Sequence, residues 1–438
     1  MLKRWTALLL AFAAAFTLAC PGTRAENEES RTADAAGLAE ARHRDDDDDV
    51  DPPEEEEEQE EPEAPLDPTG TLTFENLRAR MLRHYYPLRA LQESIDDLEN
   101  RDYDWRYEDL RDNINSLVSY QWMMTTMNPL ITETASYQAL DTQYRQMRKE
   151  FEDIDSGKTQ QEDQDTLRQY RNAQEQAVVA GESLYVALLD MMAKDAALTR
   201  QIAQLDRTVQ ELELRYEFGQ IPELTLAQAR SGRTQAVSGQ KTLQMNIEAY
   251  LLQLKSMVGA DLGEPLSLGV LPTVTEEQLA AMDLEADLAR AMEASYELFD
   301  AKKQLDDFKK DTYDKVHDSL GSNEKRFEVS QVNHALQALK YNYESTLLNY
   351  ELNFRTLYAQ VRDCAQVLEA KRDALSAQEL SYGVSALKFE QGNISANALA
   401  DAADELATAR DAVSDAEREL FSHFRSYQWA VEYGILNG

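Results

Sequence analysis

The residues that could do chemistry are few in this 438-residue chain, and they are scattered along it. The five histidines share no metal-ligand spacing: His43, His84, His317, His334 and His423. The paired acids Asp96 and Asp97 lie in a segment dense with charge, where a solvated helix face is their expected role. The sequence contains no glycine-rich phosphate loop, no nucleophile elbow and no closely spaced cysteine pair. We therefore predict no catalytic residue, no metal site and no cofactor, and we do not expect an enzyme.

The two cysteines are far apart, and the first lies behind an export signal. Two basic residues precede an apolar run over residues 5–18, which is typical of a secretory signal peptide. Two cleavage interpretations stay open. The sequence at residues 17–20 is similar to a bacterial lipobox, although it departs from that pattern at two positions, and would place a lipid on Cys20. Ordinary cleavage after Ala25 is the alternative, and in both cases Cys364 has no partner for an intrachain disulfide.

An acidic segment follows the signal. Residues 26–68 contain 20 acidic and 3 basic residues with five prolines, so they are predicted to form a solvated, disordered tether. The whole chain has a formal net charge of −37, which opposes binding to nucleic acid because phosphate contacts need clustered Lys and Arg. These patterns divide the chain into a signal segment (1–25), a tether (26–68) and a folded part (69–438).

The folded part has the apolar spacing of long helices. Leucine, valine, tyrosine and alanine recur at steps of three and four over residues 184–216, 336–375 and 399–420. No proline and only one glycine lie between Asn323 and Gln391, so one helix of about 100 Å is predicted there at 1.5 Å per residue. Cys364 falls on the second of these seams, where a buried small hydrophobic residue is the expected role.

The folded part also contains a duplication. The sequence around Gly219 matches that around Gly392 at an offset of 173 residues, and residues 80–98 match residues 290–308 at an offset of 210. We therefore predict two copies of one unit, residues 72–259 and 284–434, in which a long helix reaches the glycine and a second helix returns. Small residues on the first returning helix should let a neighbouring helix approach closely: Ala229, Gly232, Ala236 and Gly239.

The turns resemble those of the outer-membrane efflux protein (TolC) family, over about residues 72–434. The family pattern of an aromatic residue, a Gly-x-Ile/Leu turn, an apolar residue and an alanine is filled twice: by Tyr216, Gly219, Ile221, Leu226 and Ala229, and by Phe389, Gly392, Ile394, Leu399 and Ala402. The family's membrane strands have no counterpart. Residues 101–166 indicate charged helices around a methionine-rich patch (122–127), and residues 312–323 indicate a loop. We expect the patch to be buried against neighbouring helices; contact with a partner or with lipid is the alternative. The expected fold is all-α, two repeated long antiparallel helical hairpins like a subunit of a coiled-coil α-barrel, with no β-barrel.

The resemblance implies a duct subunit of an export system in the cell envelope. It implies a homotrimer that works with a periplasmic-type adaptor and an inner-membrane transporter, held at the membrane through an N-terminal lipid or through these partners. The turn residues are the implied adaptor-docking residues: Gly219, Gln220, Ile221, Pro222, Gly392, Asn393, Ile394 and Ser395. A purely structural role for these turns stays open. Asp401 fills one of two acidic positions that the family uses to constrict its pore, whereas Ala398 fills the other. The alternative function is a non-conducting structural or interaction coiled coil of the envelope.

Overall fold

The computed structural model describes residues 67–68, 70–314, 316 and 326–436. Of residues 326–328 it describes the backbone alone. The predicted signal segment, the candidate lipid site Cys20 and nearly all of the predicted tether lie outside the described residues. Within the described ranges the chain forms eleven α-helices and two strands of two residues each. The expected all-α fold is confirmed.

The helices are α1 (Phe74–His84), α2 (Tyr86–Glu99), α3 (Tyr103–Met127), α4 (Ala135–Asp155), α5 (Lys158–Glu217), α6 (Glu223–Val258), α7 (Glu276–Ala280), α8 (Leu284–Ala294), α9 (Tyr296–Phe308), α10 (Arg326–Glu390) and α11 (Ala396–Tyr433). A 3₁₀ turn (Pro129–Glu133) joins α3 to α4, and a π turn (Lys309–Asp314) follows α9. Strand β1 (Thr71–Leu72) pairs in parallel with β2 (Ser267–Leu268).

Two long antiparallel hairpins dominate the described part. Helix α5, of 60 residues, packs against α6, and α10, of 65 residues, packs against α11, so the predicted long helix before Gln391 is confirmed. Among the described helices only α5 has the length and hydropathy to cross a membrane. Within its apolar window, 44 % of the residues are buried inside the fold.

The same order of elements occurs twice. Helices α8 and α9 follow α1 and α2 at the predicted offset of 210 residues, whereas the two hairpin turns are separated by 173. The offset falls because α3, the 3₁₀ turn and α4 occupy residues 103–155 in the first half, whereas only residues 309–325 separate α9 from α10. The first half therefore has an additional helical hairpin between its short helices and its long ones.

The two long hairpins are joined through α5 and α11. Four oppositely charged pairs lie along this contact, and their α11 members are spaced at seven residues: Glu182 with Arg425, Asp190 with Arg418, Arg200 with Asp411, and Arg207 with Asp404. The acid lies on α5 in the first two pairs and on α11 in the last two. Sliding α11 by seven residues in either direction would place like charges opposite each other at the middle of the row. The charge pattern therefore selects one register.

The pair farthest from the turns, Glu182 with Arg425, is buried. The side chain of Glu182 is 3 % exposed, and Arg425 donates hydrogen bonds to its two carboxylate oxygens at 2.7 and 3.0 Å. The indole Nε1–H of Trp429 donates a third at 3.0 Å. Burial by itself lowers the pKa of Arg425, but its hydrogen bonds to Glu182 and the nearby charges of Glu182 and Glu432 together raise the pKa above its usual value, so the guanidinium stays charged. This network connects the first hairpin to the second at the end far from the turns.

We expect Arg425→Met to lower the free energy of unfolding by about 3–5 kcal/mol, because Glu182 would stay buried without its partner. The matched control is Arg410→Met on the same helix, whose exposed pair with Glu379 should contribute less than about 1 kcal/mol. Urea unfolding of both variants measures the difference. Equal losses would contradict the assigned importance of the buried pair.

Candidate functional site

The two hairpin turns have the same backbone geometry. Gly219 has φ +68° and Gly392 has φ +73°, so the predicted left-handed conformation is confirmed at both. In the first turn the N–H of Gly219 donates to the carbonyl of Tyr216 and that of Gln220 to the carbonyl of Arg215, both at 2.8 Å. These two bonds satisfy carbonyls that the end of α5 would otherwise leave unpaired, which is the Schellman arrangement.

The second turn repeats these bonds atom for atom. The N–H of Gly392 donates to the carbonyl of Phe389 and that of Asn393 to the carbonyl of Lys388, again at 2.8 Å. The returning helices begin differently. Pro222 precedes α6 without a side-chain cap, whereas the hydroxyl of Ser395 accepts a hydrogen bond from the N–H of Ala398 at 3.2 Å and caps α11.

The two turns lie at similar distances from the buried pair of Glu182 and Arg425, which we call the joint. Gly219 is 37 residues beyond Glu182 on α5, and Gly392 is 33 residues before Arg425 on α11. At 1.5 Å per helical residue these separations are roughly 55 and 50 Å. Because α11 returns from its turn while α5 runs toward its own, both turns lie on the same side of the joint. One partner could contact both.

The turns are open to solvent. Of the eight predicted docking residues, Ile221 and Ile394 are half-buried and the other six are exposed. Two large apolar side chains beside the first turn are also exposed, Phe218 at 76 % and Leu224 at 67 %. A protein surface that holds exposed apolar side chains next to backbone of fixed conformation is suited to a protein partner.

Asp401 lies one helical turn inside the second hairpin. Its carboxylate is 3.8 Å from the guanidinium of Arg207, which also pairs with Asp404, and its side chain is 59 % exposed. Asp401 thus shares a cationic partner with Asp404 within its own chain and still faces solvent. The role of Asp401 in constricting a pore stays a prediction.

The additional hairpin of α3 and α4 differs from the expectation. Trp122 is 69 % exposed and Met127 is 80 % exposed, so the prediction that residues 122–127 are buried is wrong. Helix α3 packs closely against α4 alone, with Tyr107 stacked on Phe151 at 4.4 Å near the base. No other described helix extends over the outer half of this hairpin, which leaves its apolar side chains uncovered.

One cluster of potential metal ligands was not predicted from the sequence. Cys364 on α10 meets Glu419 and His423 on α11, and one ligand atom from each lies within 4.8 Å of the other two. Cys364 is half-buried rather than fully buried, and burial, with the charges of Glu419 and Asp363, raises the pKa of its thiol to about 11. The only local signal was a glutamate and a histidine four residues apart on one helix. The cysteine comes from the other arm of the hairpin, more than fifty residues earlier.

No family model matches the chain, and no curated protein matches it in sequence. Solved structures do match. A membrane protein from Pseudomonas aeruginosa is 11 % identical at a TM-score of 0.46, with 80 % of this chain and 90 % of that chain covered. The outer-membrane channel OprN is 14 % identical at 0.44 (83 % and 91 % covered), and the outer membrane protein VceC from Vibrio cholerae is 13 % identical at 0.40 (82 % and 95 %). All three TM-scores are below 0.5.

The glycines at the ends of helices should differ in their tolerance of a side chain. A Cβ on Gly219 or Gly392 would have no atom within 4 Å, so alanine should cost only the backbone penalty of about 1–2 kcal/mol. Gly434 has the same conformation, φ +67°, but its Cβ would overlap the backbone of Ser295. Gly434→Ala should therefore cost about 1–3 kcal/mol more in urea unfolding. Equal losses at the three positions would show that the surroundings of Gly219 and Gly392 are packed as tightly as those of Gly434.

Proposed function

We propose that residues 69–438 form one subunit of a ring-shaped duct in the cell envelope, which exports cargo without catalysing a reaction. The observation that supports this most directly is the order of the four long helices, α6, α5, α11 and α10. Each packs against the next, whereas α6 and α10 have no extensive contact with each other among the described residues. One chain is therefore a layer with two open sides.

The two open sides differ in character. Exposed apolar residues follow one face of α10 at helical spacing: Tyr341, Leu348, Leu352, Leu380, Val384 and Leu387. On α6, Gly232 and Gly239 are exposed, and a Cβ on either would have no atom within 4 Å. An apolar ridge on one side and a smooth, close-approach surface on the other suit a head-to-tail contact between copies. Such a contact closes into a ring when the rotation between copies divides a full turn. The number three comes from the family resemblance.

We expect Gly239→Leu to prevent assembly without harming the fold of one chain. The new side chain has room within its own chain, and helix propensity favours leucine over glycine by up to about 1 kcal/mol. The matched control is Lys241→Leu, an exposed position about 200° further around the same helix. Sedimentation of the 69–438 fragment should give trimers for the wild type and the control, and monomers for Gly239→Leu. A monomeric wild type would instead favour a non-conducting structural coiled coil.

We further propose that the two turns dock onto an adaptor, which connects the duct to an inner-membrane transporter. The supporting features are their identical backbone geometry, their similar distance from the joint, and the exposed side chains of Phe218 and Leu224. Asp401 would then lie inside the ring close to the docked end, where three copies would place acidic groups around the opening.

Gly219→Val or Gly392→Val should abolish co-purification of the adaptor from native membranes while helicity by circular dichroism stays nearly constant. A matched control is Gly157→Val, which places the same strain at φ +71° in the turn between α4 and α5, also with no atom within 4 Å. If the control loses the adaptor as fully as the turn variants do, strain alone explains the effect. Unchanged capture in the turn variants would refute docking at these residues.

We propose that the protein is exported and lies at a membrane, and that the outer half of the α3–α4 hairpin touches the bilayer surface. Residues 113–132 contain no Asp, Glu, Lys, Arg or His in a chain that is 29 % charged, whereas the base holds ion pairs such as Arg106 with Glu150. Exposed Trp122, Met127 and Leu130 (72 %) supply the apolar surface that an interfacial region accepts.

The hydroxyl groups of this tip add little cost to burial in lipid. Five of them donate a hydrogen bond to a backbone carbonyl three or four residues earlier in the chain: Ser119 at 2.8 Å, Thr125 at 3.0 Å, Thr126 at 2.8 Å, Thr132 at 3.3 Å and Thr134 at 2.6 Å. A polar group that is already paired loses less on leaving water. The tip is therefore suited to the headgroup layer, and the charged base limits how far it enters.

We expect Trp122→Glu with Met127→Glu to reduce flotation with phosphatidylcholine vesicles, measured in a Cys20→Ala background so that a lipid anchor cannot contribute. The control is Leu262→Glu, which adds one charge at a leucine that is 57 % exposed outside the hairpin. Flotation of the parent should persist at high salt, because Glu133 is the single charged residue between Asp112 and Asp141. A parent that does not float would refute the bilayer contact.

A further inference from the structure

The cluster of Cys364, Glu419 and His423 lies on the second hairpin, well away from its turn. Cys364 is 28 residues before Gly392 and Glu419 is 27 residues after it, or about 40 Å from the turn along the helices. Because α10 and α11 are antiparallel, these two residues lie opposite each other. His423 is one helical turn further along α11 and shares the face of Glu419. The thiol sulfur, a carboxylate oxygen and an imidazole nitrogen lie within 4.8 Å of one another.

A thiolate, an imidazole and a carboxylate are the protein ligands of Zn²⁺ and Co²⁺. Metal–ligand bonds of 2.0–2.3 Å in a tetrahedron separate ligand atoms by roughly 3.3–3.6 Å. The three atoms would therefore need to approach by about 1 Å or somewhat more. The side chain of Glu419 is exposed and has the rotational freedom to make most of that movement. Cys364 and His423 are half-buried, which holds them in place.

These three side chains have no other role in the described part of the protein. None of them forms a hydrogen bond or an ion pair there, and Cys364 only packs at the edge of the α10–α11 core. Glu417, two residues before Glu419, is instead paired with Arg372 of α10 at 2.9 Å. Glu417 thus pairs with a cation of the facing helix, whereas Glu419 faces a thiol and an imidazole.

We propose that Cys364, Glu419 and His423 bind one divalent transition-metal ion of the Zn²⁺ type, with water in the fourth position. The ion takes the sulfur as thiolate, and the displaced proton passes to solvent. It links α10 to α11 between the turn and the joint with α5. The site is independent of the duct proposal, since it lies within one hairpin of one chain.

Co²⁺ is the probe that tests this, because a cobalt–thiolate bond gives a charge-transfer absorption that oxygen and nitrogen ligands do not. The purified full-length chain, reduced and freed of metal with a chelator, should bind one Co²⁺ with this absorption and lose it when Zn²⁺ is added. Cys364→Ser should abolish the band, and Cys20→Ser should leave it unchanged. Glu419→Gln and His423→Ala should each raise the dissociation constant at least about tenfold.

Glu417→Gln is the matched control for the acid, and it should bind Co²⁺ as the wild type does. Circular dichroism of each variant checks that the helices persist, so that a lost band reports lost ligation. A wild type without the thiolate band would overturn the proposal. So would a band that survives Cys364→Ser, or equal weakening by Glu417→Gln and Glu419→Gln.

Discussion

The carboxylate of Glu182 is the group on which the arrangement of the two hairpins depends. It is almost completely removed from water, and a buried charge of this kind is tolerated only when its oxygens are fully paired. The three donors that pair it come from Arg425 and Trp429, both on α11. A group on the first hairpin is therefore satisfied only when the second hairpin lies at one position along it.

The rest of the α5–α11 contact strengthens that choice. Beyond the buried pair, the three outer pairs are partly exposed, and each contributes little to stability alone. Their value is in their order, because the change of sign between Asp190 and Arg200 penalises any slip by seven residues. The fixed register also sets the positions of the two hairpin turns, because it brings both to nearly the same distance from the joint. Open sides on α6 and α10 follow from the same layer, because among the described residues these two helices have no extensive contact with each other and, outside their own hairpins, only short helices pack against them, α1 on α6, and α8 and α9 on α10.

The two halves of the chain are alike in their helices and different in what separates the short helices from the long ones. The α3–α4 hairpin has no counterpart among the described residues of the second half, where only residues 309–325 lie between α9 and α10. Its base is rich in charged residues and its tip has Glu133 alone, which gives the hairpin a polarity along its own axis. In the proposed ring, each subunit would present one such hairpin, so that the long helices serve lateral assembly and the α3–α4 hairpin serves contact with a bilayer.

Much of the fold was determined by the sequence alone. Apolar residues at steps of three and four are sufficient for a long helix, and a glycine where that pattern ends is sufficient for the left-handed residue of the turn, so α10, Gly219 and Gly392 were predicted correctly. These are local properties, decided within a few residues of chain. What surrounds a side chain is not local. The exposure of Trp122 depends on no other helix reaching the tip of α3, and the meeting of Cys364 with His423 depends on how two helices align across a turn. Only the tertiary structure decided these, because burial and ligand geometry are set by distances between residues that the sequence keeps far apart.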